Sequence, residues 1–97
     1  MSVIIDFSIF PLGKGTSVSS YVARAVRIIK ESGLSYKLGP MGTSIEGEWE
    51  AVMAVVNQCF DELEKDCDRI YLAFKADYRK DISGRLESKV KSVEEKL

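Results

Sequence analysis

The chain has 97 residues, of which 45% are hydrophobic and 30% charged, and its fourteen basic and fifteen acidic side chains give a net charge of −1. This length and composition are typical of one globular domain, so we expect a single domain over residues 1–97. A near-neutral chain has no basic field for nucleic acid, and no apolar run approaches the ~20 residues that cross a bilayer. Without a signal-peptide pattern at the N-terminus, we expect a cytoplasmic protein.

Histidine is absent and cysteine occurs only as Cys59 and Cys67. The usual general base near neutral pH, the commonest metal ligand and every Ser-His or Cys-His pair are therefore missing. The two cysteines do not form a CxxC motif, so neither a redox site nor a zinc site is indicated. We expect two reduced structural thiols, no metal, no cofactor and no catalytic residues.

The first predicted strand covers residues 3–10 and has polar residues at alternate positions. Side chains alternate between the faces of a strand, so one face of this strand is wholly apolar. Asp6 and Ser8 share the other face, with Ile4 and Phe10 as apolar neighbours. A carboxylate in such surroundings must be solvated, paired or bound to a ligand.

A glycine-containing turn leads into a predicted helix over residues 18–29, whose apolar residues recur at spacings of three and four. Thr16 or Ser17 is the expected N-cap and Gly33 the expected end of this helix. Two short strands over residues 34–39 and 43–46 follow, joined by a tight turn.

The clearest helical pattern runs from Trp49 to residue 63, and we expect Trp49 to lie in the core. A fourth strand is predicted over residues 69–76, followed by a polar loop. A final helix is expected to begin near Asp81 and Ile82, with a narrow apolar stripe on a highly charged surface.

The predicted order β-α-β-β-α-β-α indicates an α+β fold of the ferredoxin-like β-α-β-β-α-β type with an additional C-terminal helix. In this fold both long helices cover one face of a four-stranded antiparallel sheet, and the first and third strands are central. The face away from the helices carries apolar and polar residues together. We interpret it as an interface between two sheets that contains a polar pocket.

Several residues on this open face suit a heterocycle with amino groups. If Ile45 faces the helices, Ser44 and Glu46 share the open face with Asp6 and Ser8. Carboxylate and hydroxyl oxygens accept hydrogen bonds from amines, while Phe10, Tyr71 or Met41 can pack on the ring. The alternative is an isolated ion pair, for instance between Asp6 and Lys75.

Particular segments of the sequence resemble the small thiamine-binding proteins of the YkoF-like group: Pro11-Leu12-Gly13, Ser17-x-x-x-Tyr21-Val22-Ala23, Ser32-Gly33-Leu34-x-Tyr36, Pro40-Met41-Gly42-Thr43-x-x-Glu46-Gly47-Glu48 and Lys89-x-x-Ser92-Val93-Glu94-x-x-Leu97. The resemblance implies a ferredoxin-like fold whose sheets pack face to face in homodimers, commonly paired again as tetramers. It also implies binding of thiamine or its hydroxymethylpyrimidine part without catalysis. By position, it implies ligand contacts from Asp6, Ser8, Met41, Gly42, Thr43 and Glu46.

The leading hypothesis is therefore a non-catalytic carrier, buffer or sensor of thiamine or its pyrimidine precursor. One alternative is a structural or regulatory oligomerisation module without a small-molecule ligand, in which Lys75 neutralises Asp6. Another is an enzyme similar to the acylphosphatases, which share the fold. Those enzymes need an arginine-bearing phosphate loop after the first strand, where this chain has only Lys14.

Overall fold

The computed structural model describes residues 2–97. Its elements follow the predicted order: β1 (Ser2–Pro11), α1 (Ser19–Glu31), β2 (Ser35–Leu38), β3 (Thr43–Gly47), α2 (Trp49–Glu64), β4 (Ile70–Arg79) and α3 (Arg85–Glu94). The four strands form one antiparallel sheet in the order β2-β3-β1-β4. The α+β, ferredoxin-like class and the central position of the first and third strands are confirmed.

One face of the sheet and two helices enclose the hydrophobic core. Ile5 pairs with Ile45 in the β1–β3 register, and both side chains are inaccessible to solvent. Ile29 of α1 and Leu63 of α2 are also almost completely buried against them. Full burial of an aliphatic side chain of this size contributes about 1.5–3 kcal/mol. The apolar face that alternation predicts for β1 is therefore the face that the helices cover.

The start of α1 differs from the prediction. The helix begins at Ser19, and the amides of Tyr21 and Val22 bond to the Val18 carbonyl. Thr16 and Ser17 lie before this first turn, and α1 has no side-chain N-cap hydrogen bond. The predicted stop is confirmed, since Gly33 has φ +80°, a left-handed conformation that favours glycine.

Trp49 is not a core residue, and this prediction was wrong. It is the first residue of α2 and remains 47% exposed at the rim of the helix layer, where it shares a surface hollow with Tyr78. By contrast, Cys59 and Cys67 are buried and free, as expected. Burial raises the pKa of the Cys59 thiol to about 12, so this group is uncharged at neutral pH.

The C-terminal part differs in its bounds. β4 extends to Arg79 rather than ending at Ala76, and α3 begins at Arg85 rather than near Ile82. The start of α3 packs on the open face of the sheet, against β3 and β2. One end of that face is therefore covered within the same chain.

Candidate ligand-binding site

The predicted acceptors Asp6 and Ser44 lie directly opposite each other on β1 and β3. Lys75 lies opposite Asp6 on the other side, on β4. Asp6 is exposed and Ser44 is partly buried. Among the ion pairs of residues 2–97 there is none between Asp6 and Lys75 within 4.0 Å. The carboxylate of Asp6 is thus available to solvent or to a ligand on the open face.

Glu46 lies on the same face, but both of its carboxylate oxygens are engaged. One accepts hydrogen bonds from the Ser2 hydroxyl at 3.0 Å and the Arg85 amide at 2.9 Å. The other accepts from the Leu86 amide at 3.0 Å. Glu46 therefore satisfies the first amides of α3, which a helix leaves without internal partners.

Hydrogen bonding and burial have opposite effects on the pKa of the Glu46 carboxyl group. Burial alone would raise its pKa, but the hydrogen bonds from the Arg85 and Leu86 amides and the Ser2 hydroxyl outweigh burial. The pKa of Glu46 consequently lies below its ordinary value, and the group is ionised at neutral pH. An ionised carboxylate held in this way positions α3.

A second contact of α3 runs through Asp77 of β4. Its carboxylate accepts hydrogen bonds from Lys89 at 2.8 Å and from the buried Arg85 at 3.0 Å. The hydrogen bond from Lys89 has the largest effect on the pKa of Asp77, followed by the one from Arg85, and together they keep this pKa below its usual value. The contacts of Glu46 and Asp77 together hold the start of α3 over Ile4, which lies between these two residues in the sheet.

The rest of the open face remains uncovered. Phe10 and Tyr71 pair across β1 and β4, and their rings stack at 5.3 Å between centroids with an angle of 23°. Tyr71 is 53% exposed. This aromatic pair, together with Ala73 and the polar Asp6 and Ser8, forms a surface that the chain itself does not cover.

A cavity of about 240 Å³ lies at the other side of the sheet, between α1 and the turn that joins β2 to β3. Apolar residues of α1 form one wall, and the cavity is further bounded by the end of β1 and by the turn; its lining is Phe7, Ser8, Ile9, Phe10, Val18, Val22, Ala25, Val26, Ile29, Leu38, Gly39, Pro40, Met41, Gly42 and Thr43. Apolar walls with few polar groups are typical of small-molecule sites.

Five of the predicted site residues line this cavity: Ser8, Phe10, Met41, Gly42 and Thr43. Asp6, Ser44 and Glu46 do not, because they belong to the open face. Ser8 and Phe10 also have open-face side chains, so alternation leaves their backbone as the part that reaches the cavity. The α1 wall was missed, since residues at helical spacing predict core and pocket wall alike.

Thr43 is the polar side chain best placed in the cavity. It is 4% exposed and pairs with Phe7, so its side chain lies on the helix-facing side of the sheet. Within the described part of the chain its hydroxyl takes part in no hydrogen bond, and it is not sealed from the cavity space. A hydroxyl in that position can donate to a ligand or accept from one.

Gly42 lies between the cavity and Asp6. A Cβ at this position would approach the Phe7 carbonyl oxygen to 3.0 Å and Asp6 Oδ1 to 3.1 Å. Glycine therefore allows the turn to pack closely on β1. Gly42 thus has a structural role in the packing of the turn on β1, in addition to lining the cavity with Met41 and Thr43.

Two further features, a cluster of metal ligands and a membrane-spanning helix, are absent from residues 2–97. No group of three or more potential ligands from Cys, Asp and Glu could hold a metal ion in this part of the chain. No helix between these residues is long and apolar enough to cross a membrane.

The fold and the cavity define a small ferredoxin-like protein with an apolar cavity of about 240 Å³ between α1 and the β2–β3 turn. The family model described as thiamine-binding protein matches residues 5–94. The chain belongs to this thiamine-binding protein family.

Relatives cover nearly the whole chain. The UPF0045 protein MJ1052 of Methanocaldococcus jannaschii is 36% identical over 93 residues, which are 96% of this chain and 93% of that protein. A UPF0045 protein of Synechocystis is 38% identical over 95 residues, 97% of this chain and 78% of the relative.

Solved structures agree with the fold. The crystal structure of MJ1052 superimposes with a TM-score of 0.89 at 35% identity and covers 97% of each chain. A Thermotoga maritima protein, described as a proposed thiamine biosynthesis or salvage protein, has a TM-score of 0.84 at 28% identity. It covers 96% of this chain and 99% of its own.

Proposed function

We propose that the protein binds thiamine or its hydroxymethylpyrimidine part in the cavity between α1 and the β2–β3 turn, without catalysing a reaction on it. The family and the thiamine-related description of the Thermotoga maritima neighbour support the ligand class. The observation that carries the proposal is the apolar cavity lined by the Met41-Gly42-Thr43 segment.

The size of the cavity favours the pyrimidine ring as the buried part. A cavity of about 150 Å³ holds benzene in another protein, so about 240 Å³ accommodates one substituted six-membered ring. Thiamine has a second, positively charged thiazolium ring, which would extend towards the mouth. Burial of one ring and a few hydrogen bonds can supply the ~8 kcal/mol of a micromolar complex.

A carrier, buffer or sensor role follows from binding without chemistry. The whole chain has no histidine, and the two carboxylates with the most hydrogen bonds on the open face, Glu46 and Asp77, are occupied with holding α3. The residues that line the cavity have no carboxylate, amine, thiol or imidazole group that could act as a general base.

We also propose that two copies pair through the uncovered part of the open face, around Phe10 and Tyr71, and that two dimers associate as a tetramer. The support is the stacked pair of the exposed Tyr71 and the partly buried Phe10, on a surface that α3 leaves free. Exposed apolar patches rimmed by polar residues commonly mark contacts between proteins.

Calorimetric titration with thiamine and with hydroxymethylpyrimidine tests the proposed function. We expect a heat of binding with a micromolar Kd for at least one of them. The Val22→Phe variant should bind at least about tenfold more weakly, because the phenyl ring fills part of the cavity that Val22 lines. Ala54→Phe, at an exposed position of α2 outside the cavity lining, is the matched control and should bind as the original chain does.

Two results would argue against the proposal. Absence of heat with both ligands at high micromolar concentration would favour the alternative hypothesis, an oligomerisation module without a small-molecule ligand. Equal affinity in the Val22→Phe variant would move the ligand away from the cavity.

A further inference from the structure

Successive residues of β1 form backbone hydrogen bonds alternately with β4 and with β3. One hydrogen bond shows which residues bond to which neighbour. The Leu12 amide donates to the Arg69 carbonyl at 2.9 Å, one position beyond the last β1–β4 pair, Pro11 with Ile70. Alternate residues of a central antiparallel strand bond to opposite neighbours. The even-numbered residues of β1 therefore bond to β4, and the odd-numbered residues direct their N–H and C=O groups towards β3.

Two observations near the turn agree with this alternation. The Gly39 amide donates to the Gly42 carbonyl at 2.8 Å, so Gly42 bonds towards β2 and the next residue, Thr43, towards β1. Phe7 is the partner of Thr43, and its carbonyl oxygen lies 3.0 Å from the place of a Cβ on Gly42. Pro11 is odd-numbered too, and its missing N–H falls on the side without a partner strand.

Pairing between β1 and β3 stops at Phe7 and Thr43, because Thr43 is the first residue of β3 and the residues before it form the turn from β2. The next odd-numbered residue is Ile9, so its N–H and C=O groups point into the space beyond the end of β3. Ile9 is 4% exposed and lines the cavity. Across residues 2–97, no turn residue or side chain is hydrogen-bonded to either group. Buried backbone groups without partners are rare in folded proteins.

We propose that the Ile9 backbone is the recognition edge for an aminopyrimidine: its N–H donates to a ring nitrogen, and its C=O accepts from the exocyclic amine beside that nitrogen. This inference rests on the proposed function and identifies the protein atoms that form hydrogen bonds with the pyrimidine ring. The ligand adds to the edge of β1 where β3 has ended, as an added strand does.

The chemistry of the two partners matches. A ring nitrogen next to an exocyclic amine presents an acceptor and a donor side by side, and one strand residue presents an N–H and a C=O on one side. The walls supplied by Val22 and Val26 of α1 contact the apolar surface of the ring. The two edge atoms of the ring are then recognised by backbone groups, which any residue at position 9 except proline would supply.

Amide NMR on the full-length protein, with hydroxymethylpyrimidine as the probe, tests this assignment. We expect the Ile9 amide proton to move downfield, and its hydrogen exchange to slow at least about tenfold more than that of Phe7. Phe7 is the matched control because its amide already faces Thr43 in the sheet. Any ligand slows exchange of core amides through global stabilisation, so the excess at Ile9 is the informative quantity.

The analogue with hydrogen in place of the amine separates the two proposals. It leaves the Ile9 carbonyl unpaired and is expected to bind about tenfold more weakly or worse in calorimetry. If hydroxymethylpyrimidine binds but Ile9 does not respond and the analogue binds equally well, the Ile9 assignment is overturned and the proposed function stands. If neither thiamine nor hydroxymethylpyrimidine binds, the proposed function fails and the assignment with it.

Discussion

Thr43 and Ser44 are consecutive hydroxyl residues whose side chains lie on opposite faces of β3. Thr43 pairs with Phe7 on the helix side, whereas Ser44 pairs with Asp6 on the open face. Both were candidates from the sequence, and no local pattern ranks one above the other. Their separation by the sheet makes them a natural pair for locating the ligand.

Replacement of Thr43 by valine removes the hydroxyl and keeps the shape of the side chain. We expect Thr43→Val to bind hydroxymethylpyrimidine about threefold to tenfold more weakly, since one hydrogen bond contributes about 0.5–1.5 kcal/mol. Ser44→Ala and Asp6→Asn should leave the calorimetric Kd unchanged. The reverse pattern, with loss only in these two variants, would locate the ligand on the open face instead.

At the scale of elements, α3 depends on Glu46 more than on its own apolar stripe. Val90 and Val93 of that stripe are 57% and 61% exposed, while Glu46 is 6% exposed and bonds to two amides of the first turn. Helices this short are marginal without such support. The docking of α3 is therefore largely an electrostatic contact.

Neutralisation of Glu46 should loosen α3. We expect Glu46→Gln to lower the free energy of unfolding by about 1–2 kcal/mol, because charge-assisted bonds to amides are replaced by weaker ones. Hydrogen exchange in α3 should accelerate more than in β1. Glu87→Gln is the control, as Glu87 is exposed and lies 4.0 Å from Lys37. Equal effects of the two variants would contradict the capping role.

Acid should have the same effect on the original chain. The pKa of Glu46 is lowered on folding, so the unfolded chain takes up this proton at a higher pH than the folded one. The stabilisation is complete above the ordinary carboxyl pKa of 4.5 and is lost as the pH falls through the lowered folded value. Denaturation monitored from pH 6 to about pH 3 should show a smaller loss for Glu46→Gln than for the original chain.

At the scale of the whole molecule, the question is what covers Phe10 and Tyr71. We expect Tyr71→Glu to shift the protein towards monomers in light scattering coupled to size-exclusion chromatography, because a carboxylate would be buried in the sheet-to-sheet contact. Tyr78→Glu is the matched control, since Tyr78 is 50% exposed against 53% for Tyr71 but lies on the helix side. An unchanged mass for Tyr71→Glu would exclude this contact.

The sequence by itself determined the fold class, the order of the strands and the apolar face of β1, because these follow from side-chain periodicity and from crossover rules. It also selected Met41, Gly42 and Thr43, which line the cavity. Errors fell at element ends: Trp49 and the start of α3 depend on where neighbouring elements stop, which local periodicity does not encode.

Only the tertiary structure decided what the polar residues of the open face do. Glu46 resembles a ligand-binding carboxylate in sequence, yet amides that are 39 and 40 residues away occupy its oxygens. The space beside Ile9 likewise exists because β3 begins opposite Phe7 and does not run alongside the last residues of β1. Long-range contacts and differences in strand length arise from packing in three dimensions, and so a pattern read along the chain does not contain them.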